Sequence, residues 1–119
     1  MMAKKIFYIT SEMEPFASTS SLSDYSSSVP LNLQSKGNDV RCLMPKYGFI
    51  SERKYILREV IRLKEVPVNF DGKDRTMSIK SAFIPNTRVQ IYFVLDKDYF
   101  SIVNPLIYKS KNGQFIKNN

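Results

Sequence analysis

The chain alternates short apolar runs with polar, turn-rich stretches, and the periods of those runs predict a β-α-β beginning. Residues 5–10 (Lys-Ile-Phe-Tyr-Ile-Thr) form a brief run with β-branched and aromatic members, the pattern of a buried strand. Pro15 and a serine cluster from 18 to 28 interrupt it. Ser20, Ser21 or Ser23 can cap a helix, because a hydroxyl accepts from an otherwise unpaired amide of the first turn. Tyr25, Val29 and Leu33 recur four apart, with Leu22 seven before Val29, which predicts a helix with one apolar face. Pro30 lies inside that pattern and predicts a kink or division near residue 26. Gly37-Asn38 is a helix stop, and Val40 to Met44 reads as a second buried strand ended by Pro45. Strand, helix and strand within about forty residues make a parallel crossover unit, right-handed by the usual rule.

The second half is less clear-cut. Ile56, Leu57, Val60 and Ile61 fit a helical face, whereas Ile61, Leu63, Val66, Val68 and Phe70 fit an extended strand, and Pro67 opposes a helix through it. The expectation is a short helix near 51–56, then a hairpin of roughly 58–70 with 75–84, turning at Asp71-Gly72. Pro85-Asn86-Thr87 turns the chain, and Val89 to Leu95 reads as another buried strand. From 101 onward little periodicity remains, so residues 1–100 are read as the domain and 101–119 as an irregular tail. No internal repeat is visible. The 119 residues make one domain at most, with a modest core.

Composition narrows the chemistry. Cys42 is the sole cysteine and lies in an apolar run, so an intrachain disulfide is excluded and packing is its expected job. Histidine is absent, which removes Ser-His and Cys-His nucleophilic chemistry and most catalytic zinc designs; no metal or cofactor is expected. The net charge of +7 is spread out: residues 1–50 carry five basic and four acidic side chains, and residues 51–119 carry thirteen and seven. That distribution reads as a solvated basic face rather than a nucleic-acid site. No apolar run is long enough to span a membrane, and the amino terminus lacks a signal-peptide core, so a cytoplasmic location is expected.

Three segments together carry a resemblance. The first is the strand-like run at 5–10 leading through Ser11-Glu12-Met13-Glu14-Pro15-Phe16 to Ser18-Thr19-Ser20-Ser21-Leu22-Ser23-Asp24. The second runs from Gly37-Asn38-Asp39-Val40-Arg41 to Pro45-Lys46-Tyr47-Gly48. The third is Val89 to Asp96 with Asp98-Tyr99-Phe100. In order and spacing they resemble the amino-terminal domain of bacterial glycogen and plant starch synthases, which are retaining glucosyltransferases. The resemblance implies an α/β fold, a partial Rossmann-like domain with a parallel sheet and an inserted β-hairpin, forming the first part of one half of a two-domain enzyme. It also implies glucose transfer from ADP-glucose or UDP-glucose to an α-1,4-glucan.

By position in that family, Glu12, Ser18, Thr19, Ser20, Ser21 and Asp24 are the donor- and substrate-binding candidates, with Glu12 near the acceptor or sugar and Asp24 beside the donor. Read from the residues alone, Asp24 supports the helix amino terminus and Glu12 is a solvated loop acid. The family loop reads Lys-Thr-Gly-Gly-Leu; here Ser18 replaces the lysine, and Ser20 and Ser21 replace the glycines. Glycines let amides approach a pyrophosphate and the lysine offsets its charge. The expectation is therefore an inactive isolated chain without catalytic residues of its own. The other expectation is a glucan- or partner-binding module that complements a separate polypeptide, or self-associates, through an apolar sheet edge near Val89–Leu95.

Overall fold

The computed structural model describes residues 3–70 and 72–96. Its elements are β1 (Lys5–Ile9), α1 (Ser21–Ser35), β2 (Asp39–Pro45), β3 (Arg58–Glu59), a 3-10 turn (Ile61–Leu63), β4 (Val66–Phe70), β5 (Lys73–Phe83) and β6 (Gln90–Leu95). The sheet order is β1-β2-β6-β5-β3, and β4 also pairs with β5. β1, β2 and β6 run parallel, and β3, β4 and β6 are antiparallel to β5. The expected α/β class is borne out, with its crossover unit and its inserted hairpin. The expected tail and the Asp98-Tyr99-Phe100 motif lie outside the described residues.

Side chains alternate across the strands, so each strand has an inner and an outer set. The inner set on β2 and β6, Cys42, Met44, Ile91 and Phe93, is fully buried. Met13, Phe16, Tyr47, Ile50, Ile84 and Val89 complete the core from the loops. Phe16 meets Phe93 and Tyr55 edge-on, with ring centroids 5.1 and 4.7 Å apart. Arg75 and Asp96 tie β5 to the end of β6 by a two-pronged pair at 3.1 and 3.0 Å.

Several expectations are corrected. α1 continues through Pro30 without division, because the proline's fixed backbone angle is itself helical and its ring fills a buried position. The helix buries Ser23, Ser26 and Pro30, not the expected Tyr25 stripe; Tyr25 and Leu22 are exposed. Small hydroxyls suit the inner face because each is satisfied there: Ser26 Oγ lies 2.9 Å from Thr10 Oγ1 and 3.4 Å from the Tyr8 hydroxyl. The stop is as expected: Gly37 takes a φ of +90°, its amide reaches Gln34 O at 2.9 Å, and the Asn38 amide reaches Leu33 O at 3.4 Å.

No helix forms at 51–56; turns replace it, closed by the Leu57 amide on Glu52 O at 2.9 Å, with Ile56 at a φ of +55°. The first hairpin arm is broken into β3 and β4 by the 3-10 turn, while β5 runs unbroken. Among the described residues β1 is an edge strand rather than a buried one, and its outer residues Phe7 and Ile9 are exposed. β6 is no edge at all: β2 and β5 flank it, so the expected binding edge at Val89–Leu95 is buried within the sheet. No helix among the described residues is long and apolar enough to cross a membrane.

Cys42 is fully buried on β2, and burial pushes its thiol pKa up to about 11. A thiol reagent at about pH 8 is therefore expected to leave the native chain unmodified and to label one group per chain in denaturant. Rapid labelling without denaturant would show that β2 is not held in this core.

Candidate functional site

The site expected from the sequence is the connection from β1 to α1, at the carboxyl end of the parallel strands, where open α/β sheets bind ligands. Its walls are tightly tied. Met13, Phe16 and Ala17 are buried and anchor the loop to the core. The Tyr47 hydroxyl donates to Ser11 O at 2.7 Å, and the Tyr55 hydroxyl to Pro15 O at 3.3 Å. The Glu14 amide reaches Ser23 O at 3.3 Å, locking the loop to the helix.

Glu12 sits at the centre of this loop and is fully buried, not a solvated acid. Its carboxylate accepts from the Thr19 amide at 3.2 Å, from the Thr19 hydroxyl and from the Ser20 hydroxyl. Ser20 is also the N-cap of α1, its Oγ accepting from the Leu22 amide at 3.3 Å. An internal carboxylate thus occupies the surroundings of a helix amino terminus, where a ligand anion would otherwise be favoured.

The remaining candidates are placed as follows. Ser18 Oγ donates to Glu14 Oε1 at 3.3 Å and lies 2.8 Å from Ser23 Oγ. Ser21 opens the helix and is exposed, and Asp24 is an exposed acid of the first turn. Glu12, Ser18, Thr19 and Ser20 are brought together as one hydrogen-bonded group, whereas Ser21 and Asp24 stand outside it. Ser20 has φ −155° and ψ 179°, ordinary extended backbone, so its replacement of a glycine is unstrained.

Sequence reading missed a charged group beside the loop. Lys46, at the end of β2, donates its amide to Val94 O at 2.8 Å and its ammonium to Tyr47 O at 3.1 Å. Burial draws its pKa below the ordinary lysine range, opposed by Glu52 and assisted by Lys80. Glu52 pairs with Lys80, and that hydrogen bond holds its carboxyl below the usual range. The signal available was Pro45-Lys46-Tyr47 within the second resemblance segment. A separate cleft of about 610 Å³, lined in part by Gln34, Arg41, Phe83 and Arg88, lies at the amino ends of β2 and β6, away from the loop.

Replacing Glu12 by Ala removes the acceptor of three part-buried hydrogen bonds made by Thr19 and Ser20 and empties a fully buried position, each lost bond to a charged group being worth about 1.5–3 kcal/mol before water takes its place. Thermal or urea unfolding is expected to show a loss of about 2–4 kcal/mol for Glu12→Ala, against about 0.5 kcal/mol for Asp24→Asn at the exposed first turn. Equal small losses would mean the carboxylate does not organise the loop.

Residues 5–119 match the family described as starch synthase catalytic domain. The glycogen synthase of Chlorobium limicola is 36% identical over 115 residues, 97% of this chain and 23% of that protein. The glycogen synthase of Chlorobaculum tepidum is 38% identical over 96 residues, 81% of this chain and 20% of the relative. The chain therefore spans less than a quarter of the length of these relatives. In three dimensions it is similar to the catalytic domain of starch synthase IV from Arabidopsis thaliana bound to ADP and acarbose. The TM-score is 0.78 at 23% identity, covering 93% of this chain and 22% of that one. That likeness agrees with the α/β fold described above. On the family match over nearly its whole length, the chain belongs to the starch synthase catalytic domain family, alongside bacterial glycogen synthases.

Proposed function

We propose that this chain is a glycogen/starch synthase-like glucosyltransferase domain whose loop no longer holds a nucleotide sugar, so that the 119-residue chain alone does not transfer glucose. The family resemblance supplies the reaction: glucose passes from ADP-glucose or UDP-glucose to an α-1,4-glucan. The structural relative was bound to ADP and acarbose, which supports nucleotide and glucan-like ligands for this class of fold.

One observation carries the reading of inactivity. Three hydroxyls and one amide of the loop are already engaged by its own acids, Thr19 and Ser20 by Glu12 and Ser18 by Glu14. No lysine or arginine occurs between Ser11 and Ser35, while Glu12, Glu14 and Asp24 all do. A departing nucleoside diphosphate needs preorganised positive charge, and this loop offers the opposite sign. A lysine–phosphate contact is worth about 1.5–3 kcal/mol, roughly tenfold to a hundredfold in affinity.

Incubation of the chain with ADP-glucose or UDP-glucose and glycogen is expected to give no turnover above background. Calorimetric titration with ADP is expected to show tighter binding, by roughly tenfold to a hundredfold, when Ser18→Lys, Ser20→Gly and Ser21→Gly are combined. Turnover by the unaltered chain, or ADP affinity equal to that of the triple variant, would overturn the reading.

A further inference from the structure

Two isoleucines beside β3 stand in water. Ile56 is 66% exposed and Ile61 is 88% exposed. Among the described residues β3 lies at the end of the sheet opposite β1; Ile56 comes just before it, and Ile61 opens the 3-10 turn just after it. Five residues of chain separate the two, so they stand at most about 18 Å apart.

Their display is built into the fold. Ile56 takes a φ of +55°, the left-handed region that a β-branched residue enters only at a cost. Such a conformation persists only where its surroundings impose it. Here the Leu57 amide closes the turn on Glu52 O at 2.9 Å, and Tyr55 and Leu57, on either side of Ile56, pack against the core. Ile56 is thereby held outward between two anchored neighbours. The 3-10 turn is fixed as well: the Leu63 amide reaches Val60 O at 2.8 Å, and the Ser78 hydroxyl donates to Lys64 O.

Cations accompany both isoleucines. Residues 53–64 carry five basic side chains and one acidic one. Arg53, Lys54, Arg58, Arg62 and Lys64 are all exposed. Glu59 lies 3.7 Å from Lys64 and offsets that one charge weakly, because both side chains are more than half in water.

We propose that this edge is a docking surface for an anionic lipid bilayer, Ile56 and Ile61 entering the acyl boundary while the five cations meet the acidic headgroups. Projecting aliphatic side chains gain by leaving water, and a fluid bilayer receives them without a pre-shaped pocket. Acidic headgroups attract the local cations, and the chain's overall charge of +7 adds to the same pull. Other occupants fit less well. A neutral glucan offers five cations no counter-charge. Single-stranded nucleic acid is held by aromatic stacking as well as by charge. The aromatic residue nearest these cations, Tyr55, is turned inward, its hydroxyl on Pro15 O and its ring against Phe16. A second copy of the chain brings the same positive charge. Docking here goes beyond the glucosyltransferase reading and needs neither nucleotide nor glucan.

The test is co-sedimentation of the full 119-residue chain with vesicles, at low and at high salt. Affinity is expected to be at least about tenfold higher for phosphatidylcholine mixed with phosphatidylglycerol than for phosphatidylcholine alone, and to fall with salt. Ile56→Gly and Ile61→Ser are each expected to weaken binding by roughly fivefold or more. Thermal unfolding is expected to find Ile56→Gly at least as stable as the unaltered chain, because glycine accepts the positive φ. Arg58→Gln combined with Arg62→Gln is expected to weaken binding by about tenfold or more. Lys4→Gln combined with Lys36→Gln removes equal charge from exposed positions elsewhere and is expected to cost less than about threefold. Four outcomes overturn the proposal: equal binding to both vesicle types, binding indifferent to the two isoleucine variants, equal losses for the two charge pairs, or tighter binding to polyglutamate or single-stranded RNA than to the mixed vesicles.

Discussion

A carboxylate taken out of water must find donors, and the arrangement of the loop follows from how Glu12 finds them. An isolated buried charge costs several kcal/mol, so its position is stable only where hydrogen bonds converge. Here they come from Thr19 and Ser20, seven and eight residues ahead, which fold the loop back on itself. Ser20 then serves twice, donating to Glu12 and accepting from the Leu22 amide, so the same contact that satisfies the acid starts α1. The end of β1, the loop and the helix cap are one coupled unit. Met13 and Phe16, buried beneath it, make the loop part of the core rather than a separate lid.

That coupling makes the serine-rich loop a well-formed part of the fold. In this loop the hydroxyls of Ser18, Thr19 and Ser20 bond to its own acids. Ser20 adopts extended backbone, so no strain presses the loop to reopen. The polar inner face of α1 follows the same logic. Ser23 and Ser26 lie against the loop and sheet because their hydroxyls are paired with Ser20 O and Thr10.

The crossover unit was legible because its signals are local: an apolar run, a capping serine, and Gly37 at the one helix end that requires a positive φ. The hairpin was half legible. Gly72 marks its turn, but the break at Ile61–Leu63 hides inside an apolar stretch whose members alternate as a strand should. The sequence pattern also could not show which strands are covered, since Phe7 and Ile9 read as core by type and are exposed by position. In the site, the resemblance pointed to Glu12, Ser18, Thr19 and Ser20, whereas the residues alone made Glu12 a solvated acid. Their mutual bonding was not visible, because an acid and the hydroxyls that bury it carry no fixed spacing rule. The Lys46, Glu52 and Lys80 group was missed for a similar reason, as it joins residues from three separate segments.

The outer residues of β1 and the closed loop meet on one strand. β1 turns Tyr8 toward α1 and Phe7 and Ile9 away from it, and its carboxyl end leads directly into the Glu12 loop. On its inner side the strand is held by β2 and the helix; on its outer side those two residues face water. Burying a side chain of this size fully is worth about 1.5–3 kcal/mol, so covering Phe7 and Ile9 would stabilise β1 by an amount comparable to the whole Glu12 network. The two effects act at opposite surfaces of the same five residues. The firmness of the loop and the stability of β1 are therefore set on two different sides of one strand.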